Sequence, residues 1–292
     1  MTIYLGILLA LFCAFTTNLA FLFKHRGACA APAVQVHRPL RSARGLFASR
    51  WFAIGMLVAV GAWAAHVGAL ALAPMSVVQA VLAGGVVLLA VMAERIFGFR
   101  VGPRQWLGLG LTAAGLVLLG VTLPAVRSAH SHFSLPGMIA FESGLVIVGA
   151  LLIMGRRIGA PDHHHGVMLG AAAGILFGVS DVAIKAITGL VEDGGLLGGL
   201  LNPWTLVAAG ASLTAFYASA KGLQDGEAVP VIALTGVAAN VAGIAGGIIV
   251  FGDPLPGSAL GIVLQALAFL LVIVAAALTP APVRAAAPAP AV

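Results

Sequence analysis

GVMLGAAAGILFGVSDVAIKAITGL, residues 166–190, is long and apolar enough to cross a bilayer, yet it carries Asp181 and Lys185 in its second half. Four residues apart on a helix, those side chains share a face and are placed to pair. Gly178, Gly174 and Gly170 continue that face towards the start of the stretch. Glycine lets a second helix approach closely, and a charge at membrane depth must face protein or water rather than lipid. This face is therefore expected to point inward, with the other spans gathered around it.

Composition agrees with a membrane setting. Hydrophobic residues make up 61% of the chain, charged residues 8%, and the mean hydropathy is +1.10. Soluble domains carry about 25% charged residues, so the 292 residues are better counted in apolar spans than in soluble domains. Two cysteines, Cys13 in an apolar run and Cys29 in a basic loop, give no disulfide framework.

The first apolar run, Thr2 to Phe23, is longer than a signal-peptide core and is followed rather than preceded by Lys24, His25 and Arg26, which marks a retained span. A basic loop, 24–50, comes next. Leu40, Ala43, Leu46 and Phe47 are spaced to form one face of a short helix lying in the interface, and an irregular charged loop is the alternative. Further spans cover Trp51–Leu72, Pro74–Phe97, Gln105–Leu123, Leu135–Met154, the opening stretch, Pro203–Lys221, Ala228–Phe251 and Pro256–Leu278. Ala73 alone separates the second from the third. Leu196–Asn202 reads as a connection, Pro256 as a first helical position, and the Ala/Pro-rich tail, 279–292, as disordered.

The fold class expected is all-α, a polytopic bundle of about nine transmembrane helices. Nine spans put the two ends on opposite sides of the membrane. With the first loop in the cytoplasm, of the 15 Lys and Arg residues only Arg127 falls outside and Lys185 lies within the membrane. The positive-inside rule then sets the N-terminus outside and the C-terminus inside a cell membrane, with composition pointing to an inner membrane. The net charge of +6 belongs to loops beside lipid headgroups, so nucleic acid is not an expected partner.

Other polar residues sit at membrane depth. Glu142 lies near the middle of the fifth span, where a lone carboxylate must be protonated, paired or wetted, and Lys185 is one candidate partner. Gly236, Asn240, Gly243 and Gly247 place an amide in a second glycine groove. Gln79, Ser76, Gln265, His66 and Asn18 are further polar groups in spans. Each alone is more often a helix-to-helix hydrogen bond than a ligand; together they suggest a polar cavity near the midplane. His163, His164 and His165 follow Asp162, but consecutive side chains point in different directions, and a metal site is left unknown. There is no HExxH, GxSxG elbow or phosphate loop, so an enzyme is not expected, nor any cofactor.

Ala71 to Leu119, ALAPMSVVQAVLAGGVVLLAVMAERIFGFRVGPRQWLGLGLTAAGLVLL, resembles the drug/metabolite transporter (EamA-like) superfamily: an Ala-Pro turn opens a span, Ala-Glu-Arg closes it, and a Trp-Leu-Gly helix follows. GEAVPVIALTG and FGDPLPGSALGIVLQ look like the matching part of a second repeat. The resemblance implies two inverted halves, 1–123 and 135–278. Within the superfamily the chain is similar to the nine-span branch that includes NIPA-type magnesium transporters, on Phe21–Gly27, Ala71–Pro74 and Lys185. Eukaryotic members of that branch carry a Glu and an Asn ahead of the Ala-Pro turn. This chain has Trp63 and His66 there, and losing the carboxylate weakens the case for a divalent cation.

The reading is a secondary transporter moving a small solute or ion by alternating access, through a cavity lined by spans one, three, six and eight. Asp181, Lys185, Glu142, Asn240, Gln79 and His66 are the candidate substrate or coupling groups. Gly170, Gly174, Gly178, Gly236, Gly243 and Gly247 are the candidate packing positions. NIPA-like Mg2+ transport is the alternative within the class. The alternative outside it is a structural or regulatory membrane protein, which predicts a dry core with spans six and eight packed flush. The partners expected are a small-molecule or ion substrate and the bilayer, with a homodimer left open.

Overall fold

A computed structural model describes residues 2–35, 38–96, 103–122, 132–253 and 255–277. Among them the chain forms α-helices and two 3-10 turns, with no strand. The helices are α1 (Thr2–Ala30), α2 (Pro39–Phe47), α3 (Arg50–Leu72), α4 (Met75–Ala83), α5 (Gly85–Arg95), α6 (Pro103–Thr122), α7 (Leu135–Ile153), α8 (His165–Leu200), α9 (Pro203–Asp225), α10 (Ala228–Ile249) and α11 (Ala259–Ala277). Every apolar run read from the sequence is helical. Ile3–Ala30, Arg50–Leu72, Leu135–Ile153, His165–Glu192 and Ala228–Ile249 are each long and apolar enough to cross a membrane. Gly194–Leu200 and Pro203–Asp225, bent by 52°, qualify together. The protein is a polytopic helical membrane protein.

Several boundaries differ from the sequence reading, each for a local reason. The third span is two helices meeting at Gly84, and Asn18 Nδ2 of α1 straps the break by donating to Ala14 O and Gly85 O (2.8 and 3.0 Å). The basic loop starts late, because α1 continues through Lys24 to Ala30, and it contains the short helix α2, with Pro39 at its start and Leu46 buried. Leu196–Asn202 is not a plain connection. α8 runs on to Leu200 with a break at Gly195, whose φ of +73° suits glycine. Asn202 then caps α9, its Oδ1 accepting from Trp204 N at 2.8 Å. Pro256 does not open the last helix: α11 starts at Ala259, and Ser258 Oγ accepts from Gly261 N at 3.0 Å. The connection Phe99–Arg104 falls in part outside the described residues, and Arg127 and the tail 279–292 do so entirely.

Packing follows a paired scheme. α1 lies along α3 as α8 lies along α9; α3 touches α8 as α9 touches α1; α4 meets α10 and α6 meets α11. α7 stands outside this scheme against α8. One close seam is α8 on α10, which the glycines of the opening stretch face. A Cβ on Gly174 would run into the Thr235 carbonyl, one on Gly178 into the Ala242 side chain, and one on Gly170 would lie 2.9 Å from Val231 O. The Thr235 hydroxyl sits 2.9 Å from Gly170 O, a polar tie across the seam. The α10 glycines differ. Gly243 faces the Gln79 side chain, Gly247 faces Asp253, and Gly236 has open space in front of it, so it is not a packing position.

Gly174→Leu should therefore lower the stability of the detergent-solubilised protein by about 1–3 kcal/mol through overpacking, whereas Gly236→Ala leaves its Tm unchanged. Equal Tm losses for both would contradict the seam.

Candidate functional site

Beside the α8–α10 seam lies a cavity of about 940 Å³, walled by α1, α3, α4, α8, α9 and α10. It includes the expected spans one, three, six and eight, and adds α3 and α9. Lys24, Phe52 and Leu223 line one end; Glu192, Leu196 and Leu200, all exposed, line the other. Phe216 of α9, which lines the cavity, is stacked on Phe47 and edge-on to Phe52, with ring centroids 6.4 and 6.0 Å apart. Spans six and eight do pack flush, as a purely structural protein would require. The chamber beside them is what a dry core would lack.

Asp181 faces this cavity from α8. Gln79 Nε2 of α4 donates to its Oδ2 at 2.9 Å, and His66 Nε2 of α3 lies 2.9 Å from its Oδ1. The imidazole is turned so that the His66 contact is electrostatic rather than an aligned hydrogen bond. Gly243 makes the Gln79 reach possible, since a Cβ there would meet the glutamine stem. Asn240 of α10 lines the same cavity, and Ser180 and Ser212 share a 2.7 Å hydroxyl contact across its wall. Three helices thus converge on one carboxylate, with hydroxyls and an amide nearby. Asp181, His66, Gln79 and Asn240 are brought together as the sequence suggested.

Lys185 is not. It does not pair with Asp181, although the two are one turn apart. Its Nζ is sealed in protein and donates to Leu70 O at 2.7 Å and Ala73 O at 3.4 Å. The reason lies in the Ala73-Pro74 turn. In a continuing helix Leu70 O would accept from the N–H of residue 74, and proline has none. The ammonium takes the missing donor's place at the negative end of α3. Across the turn Asp253, buried and missed by the sequence reading, does the converse. Its Oδ2 accepts from Ser76 N at 2.8 Å, at the positive end of α4, and its charge acts on Lys185. FGDP, quoted above for the resemblance, contained the signal.

Glu142 is also corrected. It does not meet Lys185 and does not line the large cavity. Its carboxyl is buried without a hydrogen-bond partner beside a separate hollow of about 380 Å³ between α7 and α9, lined also by Ser143 and Trp204. Gln265 Oε1 is likewise buried without a partner. Around the histidine run no group of three ligating side chains forms among the described residues; His165 lies 4.0 Å from Asp225.

Removing the Asp253 acceptor leaves the Ser76 amide buried and unmet, so Asp253→Ala should cost about 1–3 kcal/mol in thermal or denaturant unfolding. An unchanged Tm would mean the α3–α4 turn does not depend on it.

No family model matches the chain, and no solved structure matches it. It is similar to the "Probable magnesium transporter NIPA9" of Arabidopsis thaliana, with 26% identity over 266 residues, covering 87% of this chain and 76% of the relative. That similarity runs through nearly the whole helical bundle. By its apolar helices and this likeness the chain is similar to the NIPA-type membrane transporters.

Proposed function

We propose that the chain is a secondary transporter in which two inverted halves rock around the Asp181 cavity. The paired scheme supports this reading: α1, α3, α4/α5 and α6 have their counterparts in α8, α9, α10 and α11, so the halves are 1–123 and 135–278 with α7 added to the second. The charge of the basic loops supports a Lys24 end in the cytoplasm and an N-terminus outside, in a bacterial-type inner membrane. The cavity is then open outward and shut inward by Phe47, Phe52 and Phe216. Lys185 and Asp253 hold the α3–α4 turn, and Asp181 with His66, Gln79 and Asn240 meets the cargo.

The observation that carries this reading is the cavity volume with Asp181 in its wall. About 940 Å³ is the size of an organic-ligand pocket rather than of a bare-ion cage. Mg2+ is the second reading, on the name of the Arabidopsis relative. Against it, the carboxylates bordering the cavity, among the described residues, are Asp181, already held by His66 and Gln79, and Glu192 at the rim. Mg2+ binds by one or two carboxylates while keeping several waters, which leaves that cation one engaged group in the interior.

Proteoliposomes loaded with a magnesium-sensitive fluorophore separate the two. Solute transport predicts Mg2+ flux no greater than in protein-free vesicles, together with saturable currents on supported membranes for an organic solute, at least ~10-fold smaller in Asp181→Asn. Saturable Mg2+ flux that falls in Asp181→Asn would establish the cation instead. Solute currents unchanged in Asp181→Asn would remove Asp181 from the site.

A further inference from the structure

We propose that Lys24 is an oxyanion seat at the closed end of the cavity, so that the cargo carries a carboxylate or phosphate on an apolar body. The inference rests on the transport reading above and names the class of substrate. Lys24 belongs to α1, although it is the first residue of the stretch that the sequence alone assigns to a loop. It is only 9% exposed, and it lines the cavity. Its Nζ lies 3.8 Å from the centroid of the Phe21 ring. Among the described residues no carboxylate lies within salt-bridge distance of it. Gly55 of α3 leaves room for its stem, since a Cβ there would stand 2.8 Å from Lys24 Cγ.

An aromatic face offsets part of the cost of burying an ammonium but does not neutralise it. A buried ammonium that faces a cavity without a counter-charge is a site for one. The surroundings define the rest of the ligand. Phe21, Phe52, Met56, Phe216 and Leu223 form the wall at this end, which suits an apolar body and not a hydrated metal ion. Arg26 and Arg50, both exposed and outside the cavity lining, lie over the Trp51 ring at 4.2 and 5.6 Å. Along α1, Lys24 is roughly 16 Å from Cys13, which adjoins His66. The two polar stations of the cavity are therefore separate: Asp181 near the middle, Lys24 at the blind end.

The test is thermal stability of the full-length protein in a neutral maltoside detergent with probes of opposite charge on the same ring. Benzoate and phenyl phosphate should raise the Tm of the wild type in a saturable way, while benzylamine and MgCl2 do not. Lys24→Met should weaken half-saturation by at least ~10-fold, and Lys24→Arg should keep it. Lys24→Gln, polar and shorter, serves if the methionine variant does not fold, with the same loss expected. Anion shifts unchanged in both neutral variants would overturn the proposal. So would a Lys24-dependent shift given by phosphatidylglycerol micelles and by neither soluble anion, because the seat would then belong to a lipid. Asp181→Asn is run alongside: a Lys24-dependent anion shift with unaltered Asp181→Asn transport keeps the seat and removes only the Asp181 role.

Discussion

The Asp181 carboxylate is the contact on which the cavity depends. It belongs to α8, yet it is held by His66 from α3 and Gln79 from α4, so three helices are fixed to one another by one side chain. In a bilayer the hydrophobic effect does not draw helices together; close packing and polar ties do. The glycine seam supplies the packing by bringing α8 against α10. The carboxylate supplies the tie further along α8, one turn beyond Gly178. Between seam and tie a chamber remains, mostly apolar in its walls, and the polar groups that border it include those that tie the helices.

The same economy governs the Ala73-Pro74 turn. A proline there breaks the ladder and leaves Leu70 O without a partner at a depth where water is scarce. Lys185 supplies the donor, and Asp253 supplies an acceptor for the α4 amide across the turn. Each charge sits at the helix end of opposite polarity, which lowers the cost of burying both. A turn fixed in this way from α8 and from the α10–α11 loop couples the two halves of the bundle. Movement of one half has to carry, or to break, these two contacts.

Much of the fold was legible in the sequence because membrane helices declare themselves by length and apolarity, and every apolar run became a helix. The Gly170, Gly174, Gly178 face was legible too, since its spacing is helical and its function is to lack side chains. The partners of the charges were not. Asp181 and Lys185 are neighbours on one helix, but each found a better partner on another, a carbonyl orphaned by proline in one case and an imidazole with an amide in the other. Such choices depend on tertiary distances that spacing does not encode. Glu142 misled because depth alone does not say which gap a side chain enters, and it lies by the α7–α9 hollow. Asp253 and Lys24 escaped notice because both read as loop residues at the ends of spans, while the packing buries them.

The central claim is that the Asp181 chamber is wet and reached from one side of the membrane. Ser212 lines it, and a cysteine there would report on its access. In bilayers, Ser212→Cys in protein with Cys13→Ala and Cys29→Ala should react with a membrane-impermeant methanethiosulfonate reagent applied to the Glu192 side. Absence of reaction from either side would show the chamber to be sealed, and would contradict a transport route through it.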